Sequence, residues 1–121
     1  KVGAGFPSTA TDYIEDDIDL NSHLITNPPA TFIIRVQGKS MTNVGIYDGD
    51  LLIVDKSLNP KNFSTVIANI NEELVVKTLI KSEGDNYLTS GSRNTSDKIN
   101  LTDNPEIIIW GVVTYVIHKQ Q

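Results

Sequence analysis

Cysteine is absent from the 121 residues, so neither a disulfide nor a thiolate metal site can be built from this chain. That absence fits a reducing, cytoplasmic setting. No apolar run approaches the roughly 20 residues a membrane-crossing helix needs. No signal peptide is visible, and the chain opens on Lys1, so upstream residues are expected in the native protein. Basic residues are few: 10 Lys and Arg stand against 15 Asp and Glu, a net charge of −5 with a pI near 4.8. A domain that grips DNA directly carries a basic stripe; none is visible, so direct sequence-specific DNA binding is not expected. The longest charge cluster is acidic, Glu15, Asp16, Asp17 and Asp19, and reads as a solvated loop or as an acidic surface for a protein partner. No Walker A pattern or dinucleotide fingerprint occurs, so no cofactor is expected. His23 and His118 lie far apart with no ligand spacing around either; no metal site is expected, and both read as incidental.

The hydrophobic fraction, 39%, is that of a globular protein, and the length suits one domain. Lys1–Ala10 carries Gly3, Gly5 and Pro7 with Ser8 and Thr9. This is extended or irregular chain, either a frayed terminus or an arm able to lie in a groove. One helix is expected within Thr11–Leu24, with Asp12 as cap and Glu15 three residues on. Asn27-Pro28-Pro29 breaks the chain. From Thr31 onward short β-type runs alternate with turns: Thr31–Gln37, Leu51–Val54, Thr65–Ile70, Glu73–Ile80, Asn86–Thr89 and Ile107–Ile117. Asn71-Glu72 and Gly84-Asp85 are the turn signals between them, and Gly111 predicts a bulge or bend in the last run. A mainly β fold with at most short helices follows. Trp110 and Tyr115 are core or interface side chains by type.

The stretch Val36–Asp55, VQGKSMTNVGIYDGDLLIVD, organises the rest. An apolar run enters it, Gly38 stops that run, and Ser40 and Met41 follow. A serine just past a strand and a glycine is well placed for a nucleophile, because the strand fixes the backbone and the glycine lets the chain turn. The same pattern also makes an ordinary turn, since Gly and Ser dominate turns for backbone reasons. Asp48 and Asp50 in YDGD are a turn signal first and a paired-carboxylate site second. Ser90, Ser92 and Ser96 in SGSRNTSD read as loop chemistry.

A second stretch, Glu73–Ile80, reads ELVVKTLI. Strand alternation puts Lys77 on one face with Val75 and Leu79. The other face is largely apolar too. Lysine is rarely buried unpaired, burial disfavours its charged form, and a neutral lysine is a general base of the kind a serine hydroxyl needs. The plain alternative is a lysine snorkelling from a strand edge.

GKSM, then VGIYDGDLLIVD, then ELVVKTL resembles the self-cleaving domain shared by the LexA repressor, phage repressors and the UmuD mutagenesis protein. The resemblance spans about Gly3 to His118, and the opening GAGFPSTATDYIEDDIDLN is similar to UmuD in particular. Lys39 departs from the family pattern, where a methionine or an acidic residue often precedes the serine. The resemblance implies the family's fold of bent antiparallel sheets, a cleavable arm and linker over residues 1–24, and a peptidase and dimerisation domain over residues 25–121. It implies a dyad of Ser40 as nucleophile and Lys77 as base, with the backbone N–H groups of Lys39 and Ser40 as oxyanion donors. The scissile bond would be Ala4–Gly5. It further implies a homodimer, cleavage prompted by a RecA–single-strand DNA filament, and a trimmed product that serves a UmuC-type polymerase in replication past damage. The alternative output is that of a LexA-like or phage repressor, whose DNA-binding helix-turn-helix would precede this chain. A membrane signal peptidase also uses Ser and Lys, but no membrane anchor is visible here.

Overall fold

The computed structural model describes residues 17–91 and 97–121. Over these residues the chain forms one seven-stranded antiparallel sheet, with strands β1 (Thr31–Arg35), β2 (Leu51–Asp55), β3 (Thr65–Ile70), β4 (Glu73–Ser82), β5 (Asp85–Thr89), β6 (Ile99–Asn100) and β7 (Ile108–Ile117). Their order across the sheet is β1-β2-β7-β3-β4-β5-β6. The expected mainly β architecture is what the chain adopts. Strand ends move by one or two residues from the sequence expectation, and β6, only two residues long, was too short to leave a periodic signal.

Both expected hairpins are present. Asn71 and Glu72 join β3 to β4 with φ of 53° and 66°. Glu83 and Gly84 join β4 to β5 with φ of 49° and 84°, one residue earlier than expected. Consecutive positive φ values match the right-handed twist of the flanking strands.

The described helix lies within the expected Thr11–Leu24, at its C-terminal end. It runs over Leu20–Leu24 (α1), and its cap is Asp19, whose side chain accepts the Asn21 N–H at 3.0 Å. Asp12 and Glu15, the expected capping pair, lie outside the described residues. Asn27-Pro28-Pro29 enters a single 3₁₀ turn, Pro28–Ala30, directly before β1.

Side chains on β3 alternate between two cores. Ile67 joins Val36, Met41, Ile46, Leu52 and Val54 in one; Val66 and Ala68 join Leu79 and Leu88 in the other. A strand buried on both faces sits mid-sheet, and each such apolar side chain stabilises by about 1.5–3 kcal/mol on burial. The sheet bends where β7 carries extra residues. Ile67 faces Gly111 and Ala68 faces Ile109, so Trp110 is unpaired; Ile53 faces Tyr115 and Val54 faces Val113, so Thr114 is unpaired. Gly111 lies beside the first bulge, and a Cβ there would stand 2.5 Å from Val54 Cγ1, so the close approach of β7 to its neighbour β2 favours a glycine. Trp110 is part-buried against the first core, whereas Tyr115 is exposed.

Candidate active site

Ser40 sits in the loop between β1 and β2, and that loop is closed at its base by its own backbone. Val36 N–H donates to Asp50 O at 2.8 Å and Gly49 N–H donates to Val36 O at 2.9 Å. Arg35 Nη1 donates to Gly49 O at 2.8 Å, and Gly38 N–H donates to Asp48 Oδ1 at 2.8 Å. Asp48 is thus a turn residue, as its sequence context suggests. The buried Asp50 carboxylate accepts the Tyr47 N–H at 2.8 Å and meets His118 Nδ1 at 2.5 Å. Burial pushes the Asp50 carboxyl up, but the Tyr47 N–H, the His118 hydrogen bond and the His118 charge outweigh it and hold the group below the ordinary carboxylate value. His118, read from sequence as incidental, is therefore a structural partner of this loop. No spacing signal could show that, because its carboxylate lies 68 residues away.

The residue after Ser40 anchors the loop from inside. Met41 is only 2% exposed and sits in the first core, and its carbonyl accepts the N–H groups of Val44 and Ile46 at 3.1 and 3.2 Å. A 3₁₀ turn, Thr42–Val44, follows. The loop is thus pinned on both sides of Ser40, at Gly38 and at Met41.

Lys77 lies on β4 in register with Val66 of β3, and its neighbours Val75 and Leu79 pack into the second core as the alternation predicts. Its side chain is 17% exposed. Its immediate surroundings are more polar than the strand pattern suggests. Nζ donates to Ser90 Oγ at 2.7 Å and stands 3.8 Å from Asp97 Oδ2. Sequence reading assigned Ser90 only to a loop, and Asp97 carried no signal; both are brought to the lysine by the end of β5 and the chain leading to β6. Ser92 and Ser96 lie outside the described residues, as do Ala4 and Gly5.

Ser40, Lys77 and Ser90 line one cleft of about 480 Å³. One wall runs from Ile34 to Gly38, and the other is Glu73, Leu74, Val75, Val76 and Lys77. Five consecutive residues of a strand can line one cavity only if the strand turns its edge to it, because its side chains alternate between faces. The pairing agrees: β4 pairs with β5 only from Thr78 onward, so Glu73–Lys77 are bonded to β3 on one side and, among the described residues, leave the other edge open. The cleft therefore combines a hydroxyl, an amine and an unpaired strand edge.

The Peptidase S24-like family matches residues 1–114. The chain belongs to that family. It is similar to protein ImpA of Escherichia coli, 42% identical over 124 residues that cover 96% of this chain and 78% of that one. It is also similar to protein MucA of Escherichia coli, 36% identical over 95% of this chain and 78% of that one. A LexA repressor from Shewanella denitrificans is 35% identical over 84% of this chain and 50% of its own length. The chain is thus a UmuD-like S24 peptidase, as its motifs led one to expect. Among the described residues no group of His, Cys, Asp and Glu could hold a metal ion, and no helix is long and apolar enough to cross a membrane.

Proposed function

We propose that this chain cuts its own Ala4–Gly5 bond, with Ser40 as nucleophile and Lys77 as general base. The observation that carries the reading is that Ser40 and Lys77, from separate strands and loops, line one cleft in a chain of the S24 family. The open edge of β4 supports a peptide substrate, because an extended arm can add to it as a further strand, its main chain supplying the hydrogen bonds. Small residues around Ala4–Gly5 let that arm approach closely.

In this reading neutral Lys77 takes the Ser40 hydroxyl proton as Oγ attacks the Ala4 carbonyl carbon. The resulting oxyanion is met by the N–H groups of Lys39 and Ser40, which among the described residues have no other acceptor. As the C–N bond breaks, the Lys77 ammonium returns its proton to the departing Gly5 nitrogen. Water, deprotonated in turn by Lys77, then hydrolyses the Ala4 ester and frees Ser40. The RecA–single-strand DNA filament prompts the cut, and the product starting at Gly5 assembles as a dimer with a UmuC-type polymerase. The net charge of −5 supports protein partners over direct duplex binding.

The test is to incubate the full-length protein with activated RecA filament and weigh the product. A fragment beginning at Gly5 is expected, and none from Ser40→Ala; a fragment beginning elsewhere overturns the assignment. Sedimentation of that fragment should report twice the mass expected for one copy. Tight, salt-sensitive binding of duplex DNA by the full-length protein, lost from the Gly5 fragment, would favour the second reading, a repressor domain, for which the LexA repressor likeness speaks.

A further inference from the structure

Lys77 does not rest on Ser40. Its Nζ donates to Ser90 Oγ at 2.7 Å, and Ser90 is itself held in place. The Ser90 N–H points at both oxygens of Asp97, at 3.3 and 3.2 Å. The next residue, Gly91, is tied in two directions: its N–H donates to Met41 Sδ at 2.9 Å and its carbonyl accepts Thr78 Oγ1 at 2.9 Å. Met41 follows Ser40 and Thr78 follows Lys77. One backbone unit therefore joins the neighbour of the nucleophile to the neighbour of the base. Glycine suits the position, since φ is 79° and a Cβ would displace the Asn43 side-chain amide.

We propose that Ser90 is a positioning residue for Lys77, its hydroxyl holding the amine in the cleft at a distance from Ser40 that Gly91 sets. The inference rests on the reading of Ser40 and Lys77 as the dyad. A lysine side chain has many rotamers and must be held if its nitrogen is to meet one hydroxyl proton. A carboxylate such as Asp97 favours the ammonium and so opposes a base. A serine hydroxyl suits both states: it accepts from the ammonium, and it can donate to the lone pair of the neutral amine. Ser90 can therefore stay with Lys77 through the proton cycle, while Asp97 holds Ser90 by its backbone.

The experiment uses the full-length protein and follows self-cleavage against pH, with thermal unfolding measured beside it. Among the described residues, Asp97 from the segment before β6 is the charged group beside the amine, and Glu73 on β4 and Arg35 on β1 line the same cleft. Ser90→Ala leaves Asp97 as the lysine's remaining partner. Cleavage should fall by about tenfold or more at neutral pH, its pH profile should move to higher pH, and the unfolding temperature should hold. Ser90→Thr, which keeps the hydroxyl, should restore both rate and profile. Wild-type cleavage by Ser90→Ala with an unmoved profile overturns the proposal, as does failure of Ser90→Thr to restore the profile in a folded protein. So does a covalent acyl product trapped on Ser90, which would make it the nucleophile. If Ser40→Ala still cuts, or Lys77→Ala cuts normally, the dyad reading fails and takes this inference with it. If both are dead and Ser90→Ala is normal, only the role of Ser90 fails.

Discussion

His118 Nδ1 and Asp50 Oδ1 meet at 2.5 Å, joining the residue just after β7 to the base of the loop that carries Ser40. Asp50 is 2% exposed, and its other oxygen accepts the Tyr47 N–H. The His118 ring also stacks at 5.2 Å from the Tyr47 ring. Carboxylate, imidazole and phenol thus close the loop from one side.

This cluster predicts acid lability with a definite sign. The folded carboxyl of Asp50 titrates below its ordinary value of 3.8. A group depressed on folding contributes stability that is fully present above the unfolded value and is lost as pH falls through the folded one. Stability followed by urea unfolding should therefore hold from neutral pH down to about 4 as far as this group is concerned, then drop. Asp50→Asn should lower stability at pH 7 and flatten that acid limb. An unchanged acid limb in Asp50→Asn would show that other carboxylates govern it.

Gly91→Ala should damage both stability and cleavage. The positive φ alone costs about 1–2 kcal/mol for a residue with a Cβ, and the Asn43 amide must also move. Adding Asn43→Ala should recover the steric part and leave the φ cost. Denaturant midpoints of the single and double variants measure the two contributions separately.

Thr89 is fully buried and its hydroxyl has no hydrogen-bond partner among the described residues. An unmade hydrogen bond in a core costs more than an apolar group of the same shape. Thr89→Val should therefore raise stability, by about 1 kcal/mol, with cleavage unchanged. A destabilised variant would mean that the hydroxyl is satisfied in solution, for example by water.

Ser40→Ala should unfold at the wild-type temperature while failing to cut, because an exposed hydroxyl carries little packing. By contrast Leu88→Ala, at a fully buried position of the second core, should cost about 2–5 kcal/mol. Calorimetry on both separates loss of chemistry from loss of fold.

The parts of this molecule legible in its sequence are those with local signals. Alternating apolar residues marked β3 and β4, paired turn residues marked both hairpins, and Gly111 marked the bulge at Trp110. Ser40 and Lys77 stood out because each sits in a setting that ordinary packing does not require. What stayed hidden is long-range. Ser90 reaches Lys77 only because β5 pairs with β4 and ends beside it, and His118 reaches Asp50 only because β7 pairs with β2. The helix was legible only as lying within Thr11–Leu24; its observed span is Leu20–Leu24 with Asp19 as cap, too short to show a helical period.

The strand order has a consequence for when the chemistry can begin. The loop of Ser40 hangs from β1 and β2, and Lys77 belongs to the block β3-β4-β5-β6; β1 and β2 touch that block in the sheet only through β7. Until Ile108–Ile117 has been synthesised and has slotted between them, the two halves share no strand pairing among the described residues to hold hydroxyl and amine across one cleft. On the reading proposed above, a chain emerging from the ribosome carries the Ala4–Gly5 bond, Ser40 and Lys77 well before it can use them. Chains ended before Ile108 should remain uncut, a safeguard supplied by topology alone.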